Sequence, residues 1–136
     1  MLQGVGLDGL LAQLEAAVNS KVYAALESLI GPSFNLSLYR SEAAQFKPAE
    51  MRERLQLSYL GPGKPLLDFS VDGRNVLGSQ IEIGSDVRHV VYSTGWGPRQ
   101  DDDAFLLIGD VDGRARWVGM VYVPHELIDY PAPRGM

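Results

Sequence analysis

The chain contains no cysteine, which excludes disulfide staples, thiolate nucleophiles and zinc sites built on sulfur. Positive charge is scarce as well. Twelve Lys and Arg stand against seventeen Asp and Glu, for a net charge of -5. The tightest basic grouping, Arg52 and Arg54, is interleaved with Glu50 and Glu53 and reads as a solvated helix face. Phosphate backbones are bound by clustered cations, so no nucleic acid is expected as a partner. No stretch approaches the roughly 20 consecutive apolar residues of a membrane-spanning helix, and no membrane span is expected. The opening MLQGVGLDGLLAQLEAAV places acids where an export signal requires an unbroken apolar run. As written, the chain reads as cytoplasmic; it reads as extracytoplasmic if it is a domain excised from an exported protein.

What is present is an ordinary globular composition, 46% hydrophobic and 21% charged over 136 residues. That length is sufficient to bury a core unaided. We find no repeat, low-complexity segment or linker, and expect a single domain over residues 1–136.

Periodicity orders the elements. Asp8 caps a run in which Leu7, Leu10, Leu11, Leu14 and Val18 recur at helical spacing. Asn19 and Ser20 interrupt it, and Val22, Tyr23, Leu26, Leu29 and Ile30 carry the spacing on until Gly31 and Pro32. Two short helices or one bent helix both satisfy this pattern. Phe34, Leu36 and Leu38 then alternate with polar partners, as in a half-buried strand. Pro48 opens a third helix with a Met51, Leu55, Tyr59 stripe, closed by Gly61, Pro62 and Gly63. Strands are expected over Leu66–Val71, Gln80–Ile83, Val87–Thr94, Ala104–Asp110 and Ala115–Val123. Asp112 and Gly113 form a hairpin turn between the last two.

Helices followed by a mainly antiparallel sheet describe an α+β domain. The element order is also that of the cystatin-like, or nuclear transport factor two-like, cone, in which a curved sheet wraps helices and leaves an open mouth. A plain layer of helices on a sheet is the alternative.

Candidate chemistry is sparse. GPGK, Gly61–Lys64, lacks the spacing and the hydroxyl of a phosphate loop and reads as a turn. DVDG, Asp110–Gly113, shares three positions with a calcium loop but runs on into a strand without the closing glutamate. Asp101, Asp102 and Asp103 read as a solvated acidic loop. We expect no metal and no cofactor. His89 shares strand parity with Val87 and Val91, opposite to Arg88, Val90 and Tyr92. A rim or core histidine is the plainer reading. In a cone, however, His89 could lie near an acid such as Asp68 or Glu82 and shuttle a proton. His125 looks peripheral. No GxSxG elbow is present. Trp117 reads as core, with Gly119 opposite it easing a bend. In YSTGWGPRQDDD, Gly95 and Gly97 free the backbone to turn, and Trp96 is either a lid on the sheet or a binding residue at the rim.

Thr94, Gly95, Trp96, Gly97, Asp112, Gly113, Trp117 and Gly119 form a TGWG…DG…WxG pattern. Upstream, Tyr39, Arg40, Ser41, Glu42, Pro48, Ala49 and Glu50 precede it in order. Over residues 24 to 123 the chain thereby resembles an uncharacterised bacterial domain found in predicted secreted proteins and lipoproteins, notably of Chloroflexi-type bacteria. The signal peptide or lipobox typical of those proteins is not matched here. The resemblance implies architecture and no chemistry.

The expected function is a non-catalytic module that binds a small molecule or a protein at the cone mouth, or pairs with itself as a homodimer through the sheet face. Trp96, Tyr92 and Trp117 are its candidate binding residues. The alternative is a cone-type hydrolase or isomerase using His89, Asp68, Tyr92 and Arg88. A structural appendage of a larger envelope protein is a third possibility.

Overall fold

The structure is a computed structural model describing residues 6–38, 44–77 and 87–124. In chain order its elements are α1 (Leu7–Ser20), α2 (Tyr23–Leu29), β1 (Ile30–Leu38), β2 (Ala44–Phe46) and α3 (Pro48–Arg54). A π-helical turn (Leu55–Tyr59), β3 (Leu66–Asp68), α4 (Gly73–Leu77), β4 (Val87–Trp96), β5 (Asp102–Val111) and β6 (Arg114–Pro124) follow. The strands form one sheet in the order β2-β1-β6-β5-β4-β3, in which only β1 and β6 run parallel. This is the expected α+β arrangement, helices packed on a curved and mainly antiparallel sheet.

The break between the first two helices falls one residue after the expected Asn19–Ser20. Lys21 adopts the left-handed conformation, with φ 54° and ψ 46°, and closes α1. Asp8 lies inside the first turn of α1 and Gly6 is the N-cap. Gly31 and Pro32, expected to stop a helix, are instead part of β1. The β1–β6 register shifts between Ile30 and Asn35, and such an irregularity tolerates a proline that cannot donate to the ladder. In α3 the backbone N–H of Lys47 donates to Glu50 Oε1 at 2.8 Å. The final turn then widens to a π-helix, so Leu60 joins Met51 and Leu55 in the core. β2 and α4 lack the length and periodicity to be visible in the sequence. The expected strand over Gln80–Ile83, together with Glu82 and His125, lies outside the described residues.

Two apolar layers sandwich the sheet. Leu10, Leu14 and Val18 of α1, Leu26 of α2 and Met51 of α3 pack with Phe34, Val91, Leu106, Met120, Trp96 and Trp117. Tyr92, Phe105, Leu107, Val121 and Val123 make a second cluster on the other face, against Val76 of α4. Three bulges decide which residue faces which layer. Val87 pairs with Gly109 but His89 with Ile108, leaving one extra residue in β4. Ser93 pairs with Ala104 but Trp96 with Asp102. Leu107 pairs with Gly119 but Ile108 with Trp117. Each extra residue reverses side-chain parity and bends its strand. Simple alternation therefore misplaces two sets of residues. Val87 joins Val90 and Tyr92, while His89 keeps company with Val91. Trp117 shares the helix-facing layer with Met120, and Val121 and Val123 face the other way.

The hairpin turn forms as expected, with Asp112 at φ 52° and Gly113 at φ 80°, the paired positive angles that match strand twist. The acidic loop does not. Asp102 and Asp103 begin β5, and Asp103 is 1% exposed.

Candidate functional site

The two glycine signatures are built against each other. Gly95 and Gly97 both have φ 84°. The N–H of Lys64 donates to Gly95 O at 2.7 Å and the N–H of Gly97 to Tyr59 O at 2.9 Å. A side chain at Gly63 would press on the backbone of Gly95, Trp96 and Gly97, so the two loops touch main chain to main chain. Lys21 Nζ donates to the carbonyls of Gly61 and Gly63 at 2.8 and 2.7 Å. GPGK is thus a turn whose carbonyls accept a lysine, the reverse of a loop whose amides cradle phosphate.

Trp96 is fully buried, its indole Nε1 donating to Ser93 Oγ at 2.7 Å, and Ser93 Oγ donates in turn to Leu66 O at 2.9 Å. Trp117 is fully buried edge-on to Phe34, with centroids 5.2 Å apart, and donates from Nε1 to Gly119 O at 2.8 Å. A side chain at Gly119 would collide with the carbonyl of Asn35, so W-x-G marks a bulge where β1 closes onto β6. Tyr92 is also fully buried; its hydroxyl donates to Asp103 Oδ2 at 2.6 Å. None of the three aromatics considered for binding offers accessible surface to a ligand. The residues of the apolar sheet face opposite α1, α2 and α3 are likewise buried.

An open cleft of about 350 Å³ lies between α1 and the β3–β4 end of the sheet. Its polar lining is Asp8 and Glu15 of α1, Asp68 of β3 and His89 of β4, over an apolar floor that includes Leu11 and Val91. Phe69, 44% exposed, stands in its wall. Asp68 is held at the lip of β3, where its Oδ1 accepts the Ser70 N–H at 2.9 Å and the Ser70 hydroxyl. The fold therefore brings His89 and Asp68 to one cavity. It does not bring in the other two members of the proposed catalytic set. Tyr92 is bonded to Asp103 in the second cluster. Arg88 is largely exposed and ion-paired with Asp110 at 2.9 Å. Among the described residues no group of three or more His, Asp or Glu is placed to hold a metal ion.

Neither Asp8 nor Glu15 was read from the sequence as a site residue, yet a signal for them exists. Asp8, Leu11, Ala12 and Glu15 are spaced i, i+3, i+4 and i+7, one stripe of a helix, beside the Leu10, Leu14, Val18 stripe that enters the core. Tyr122 also gained a partner only in the fold. Its hydroxyl donates to Asp102 Oδ2 at 2.7 Å and its ring meets Tyr59 edge-on at 4.6 Å. Burial first, then the hydrogen bond to Asp102 and nearby negative charge, raises its pKa well above that of an ordinary tyrosine.

Helices packed on a curved, mainly antiparallel sheet are also the fold of cystatin-like proteins. The fold is shared with a DUF4783 family protein from Bacteroides uniformis, at TM-score 0.56 and 7% identity, over 83% of this chain and 94% of that one. It is shared too with a cystatin-like protein of unknown function from Nostoc punctiforme, at TM-score 0.52 and 11% identity, over 90% and 91% of the two chains. A bacterial cystatin-like protein from Silicibacter pomeroyi aligns at TM-score 0.54 and 10% identity over 89% and 78%. At these identities the likeness is one of fold. No protein-family model matches the chain, and no curated protein matches it in sequence. No helix among the described residues is long and apolar enough to cross a membrane.

Proposed function

We propose that the chain is a non-catalytic binding module whose cone mouth, the α1–β3–β4 cleft, takes a small molecule with an apolar body and a protonated amine. One observation supports this reading: the cleft is large enough for such a ligand, and among the described residues it is lined by Asp8, Glu15 and Asp68 with no lysine or arginine. Carboxylates around an apolar floor favour a cation, because ionic hydrogen bonds strengthen where water is partly excluded. The half-exposed Phe69 ring adds a face suited to a cationic head.

The test is a titration with benzylamine and, in parallel, benzoate, followed by amide-proton shifts. Saturable shifts at Leu11 and Val91 with benzylamine alone, weakened about tenfold by Glu15→Gln or Asp68→Asn, are the expected result. Equal responses to both probes, or shifts indifferent to either substitution, overturn the reading.

A second reading is favoured by one fact, that His89 and Asp68 line the same cleft. Imidazole and carboxylate together could move a proton on a bound ligand. Proton–deuterium exchange on a bound ketone, abolished by His89→Ala, would distinguish an enzyme from a binding module.

A further inference from the structure

We propose that a second groove, at the other end of the sheet, is an oxyanion-binding site for a small molecule carrying a phosphate or carboxylate group. The groove measures about 530 Å³ and runs between the β5–β6 hairpin and the segments that start β1 and α3. Arg114 and Arg116 line it. They are two positions apart at the start of β6, before the bulge, so both side chains leave the same face of the strand.

The two guanidiniums differ in burial, and neither is ion-paired among the described residues. Arg116 is half-buried, and its Nη1 donates to the carbonyl of Ser28 at 3.0 Å. That bond steadies the planar group and leaves its remaining N–H donors for another acceptor. Arg114 is exposed. Among the described residues the ion pairs are Arg52–Glu27 and Arg88–Asp110, and neither groove arginine belongs to one. Asp112 also lines the groove, yet it forms no ion pair with either. Two unneutralised cations side by side are unusual on a chain of net charge -5. They are therefore not the by-product of a generally basic surface.

The rest of the lining suits a small ligand. Pro32 and Pro48 contribute rigid walls, and Ile30 and Val111 contribute apolar surface. Apolar walls lower the local dielectric and strengthen charge-assisted hydrogen bonds. Paired guanidiniums match phosphate and carboxylate oxygens through parallel N–H donors. The site is separate from the α1 cleft and opposite to it in charge.

Inorganic phosphate and, separately, succinate are titrated into the full chain at constant ionic strength, with amide-proton shifts as the readout. The expected result is saturable shifts at Val111, Gly113 and Arg116 with at least one of the two anions. Arg114→Gln and Arg116→Gln each weaken that binding about tenfold, while Arg99→Gln, the same charge change at an exposed residue elsewhere, leaves it unchanged. The exposed Arg114 side chain makes no hydrogen bond or ion pair among the described residues, so its variant remains informative if Arg116→Gln fails to fold. Non-saturating shifts with both anions, or equal binding in Arg114→Gln and wild type, overturn the proposal.

Discussion

Tyr92 and Asp103 meet in the apolar layer that contains no residue of α1, α2 or α3: the tyrosine hydroxyl donates a 2.6 Å hydrogen bond to Oδ2 of the aspartate, and both residues are buried. The next acid along β5, Asp102, is bonded by Tyr122 from the other neighbouring strand. Two consecutive aspartates are thus claimed by tyrosines from β4 and β6. This pairing explains how an acidic run can open a central strand instead of forming a loop. A carboxylate entering an apolar layer is tolerated when hydrogen-bonded.

Replacing Tyr92 with phenylalanine removes one donor from a buried carboxylate and little volume. The expected loss is about 1–3 kcal/mol, read as a lower urea midpoint with an unchanged slope. A midpoint equal to that of the wild type would show that the bond contributes nothing net.

Gly97 and Gly113 share positive φ, at 84° and 80°, but not their surroundings. A side chain at Gly113 meets open space, whereas one at Gly97 collides with the Tyr122 hydroxyl and the Asp102 carboxylate. Gly113→Ala should cost only the left-handed backbone penalty, about 1–2 kcal/mol. Gly97→Ala should cost clearly more, because it also displaces the Tyr122–Asp102 pair. Equal losses in thermal or urea unfolding would contradict the crowding seen around Gly97.

Tyr122 should make the fold sensitive to alkali. Its pKa is raised above the ordinary 10.0, with burial the largest cause and Asp102 next, so the fold favours the neutral phenol. The contribution is fully present below pH 10 and is lost as pH climbs from there toward the folded value. Unfolding free energy should therefore decline above about pH 10, and Tyr122→Phe should flatten that decline. Absorbance at the phenolate band should show a tyrosine ionising above the ordinary 10.0, and that late step should be lost in Tyr122→Phe. A wild-type and a Tyr122→Phe profile of the same slope would refute this assignment.

Much of this architecture was legible before any coordinates. Leu10, Leu14 and Val18 recur with helical period and are buried in α1, and Phe34 and Leu36 alternate and are buried in β1. Asp112–Gly113 fixed a hairpin because its residues tolerate the backbone angles required. These signals are local: each depends on the intrinsic geometry of a few consecutive residues. The site was legible only in part. His89 and Asp68 were named as possible neighbours, and they do line one cleft. Asp8 was read only as a helix cap and Glu15 was not singled out, because acids on a helix face look solvated until something is seen to face them.

The sequence by itself determined the order of the main helices and strands, the α+β class, the hairpin, and Gly97 as a positive-φ residue where the chain turns, whereas Gly95, expected to turn the chain, sits inside β4 at its bulge. Only the tertiary structure decided which residues face which layer and which ones meet. Three bulges reverse strand parity at His89, Trp96 and Trp117, and a bulge is a property of two strands in register, invisible in either one alone. For the same reason Asp103 found Tyr92, and Arg114 and Arg116 came to flank a groove beside Pro32 and Pro48. These pairings span chain separations over which no periodicity carries information.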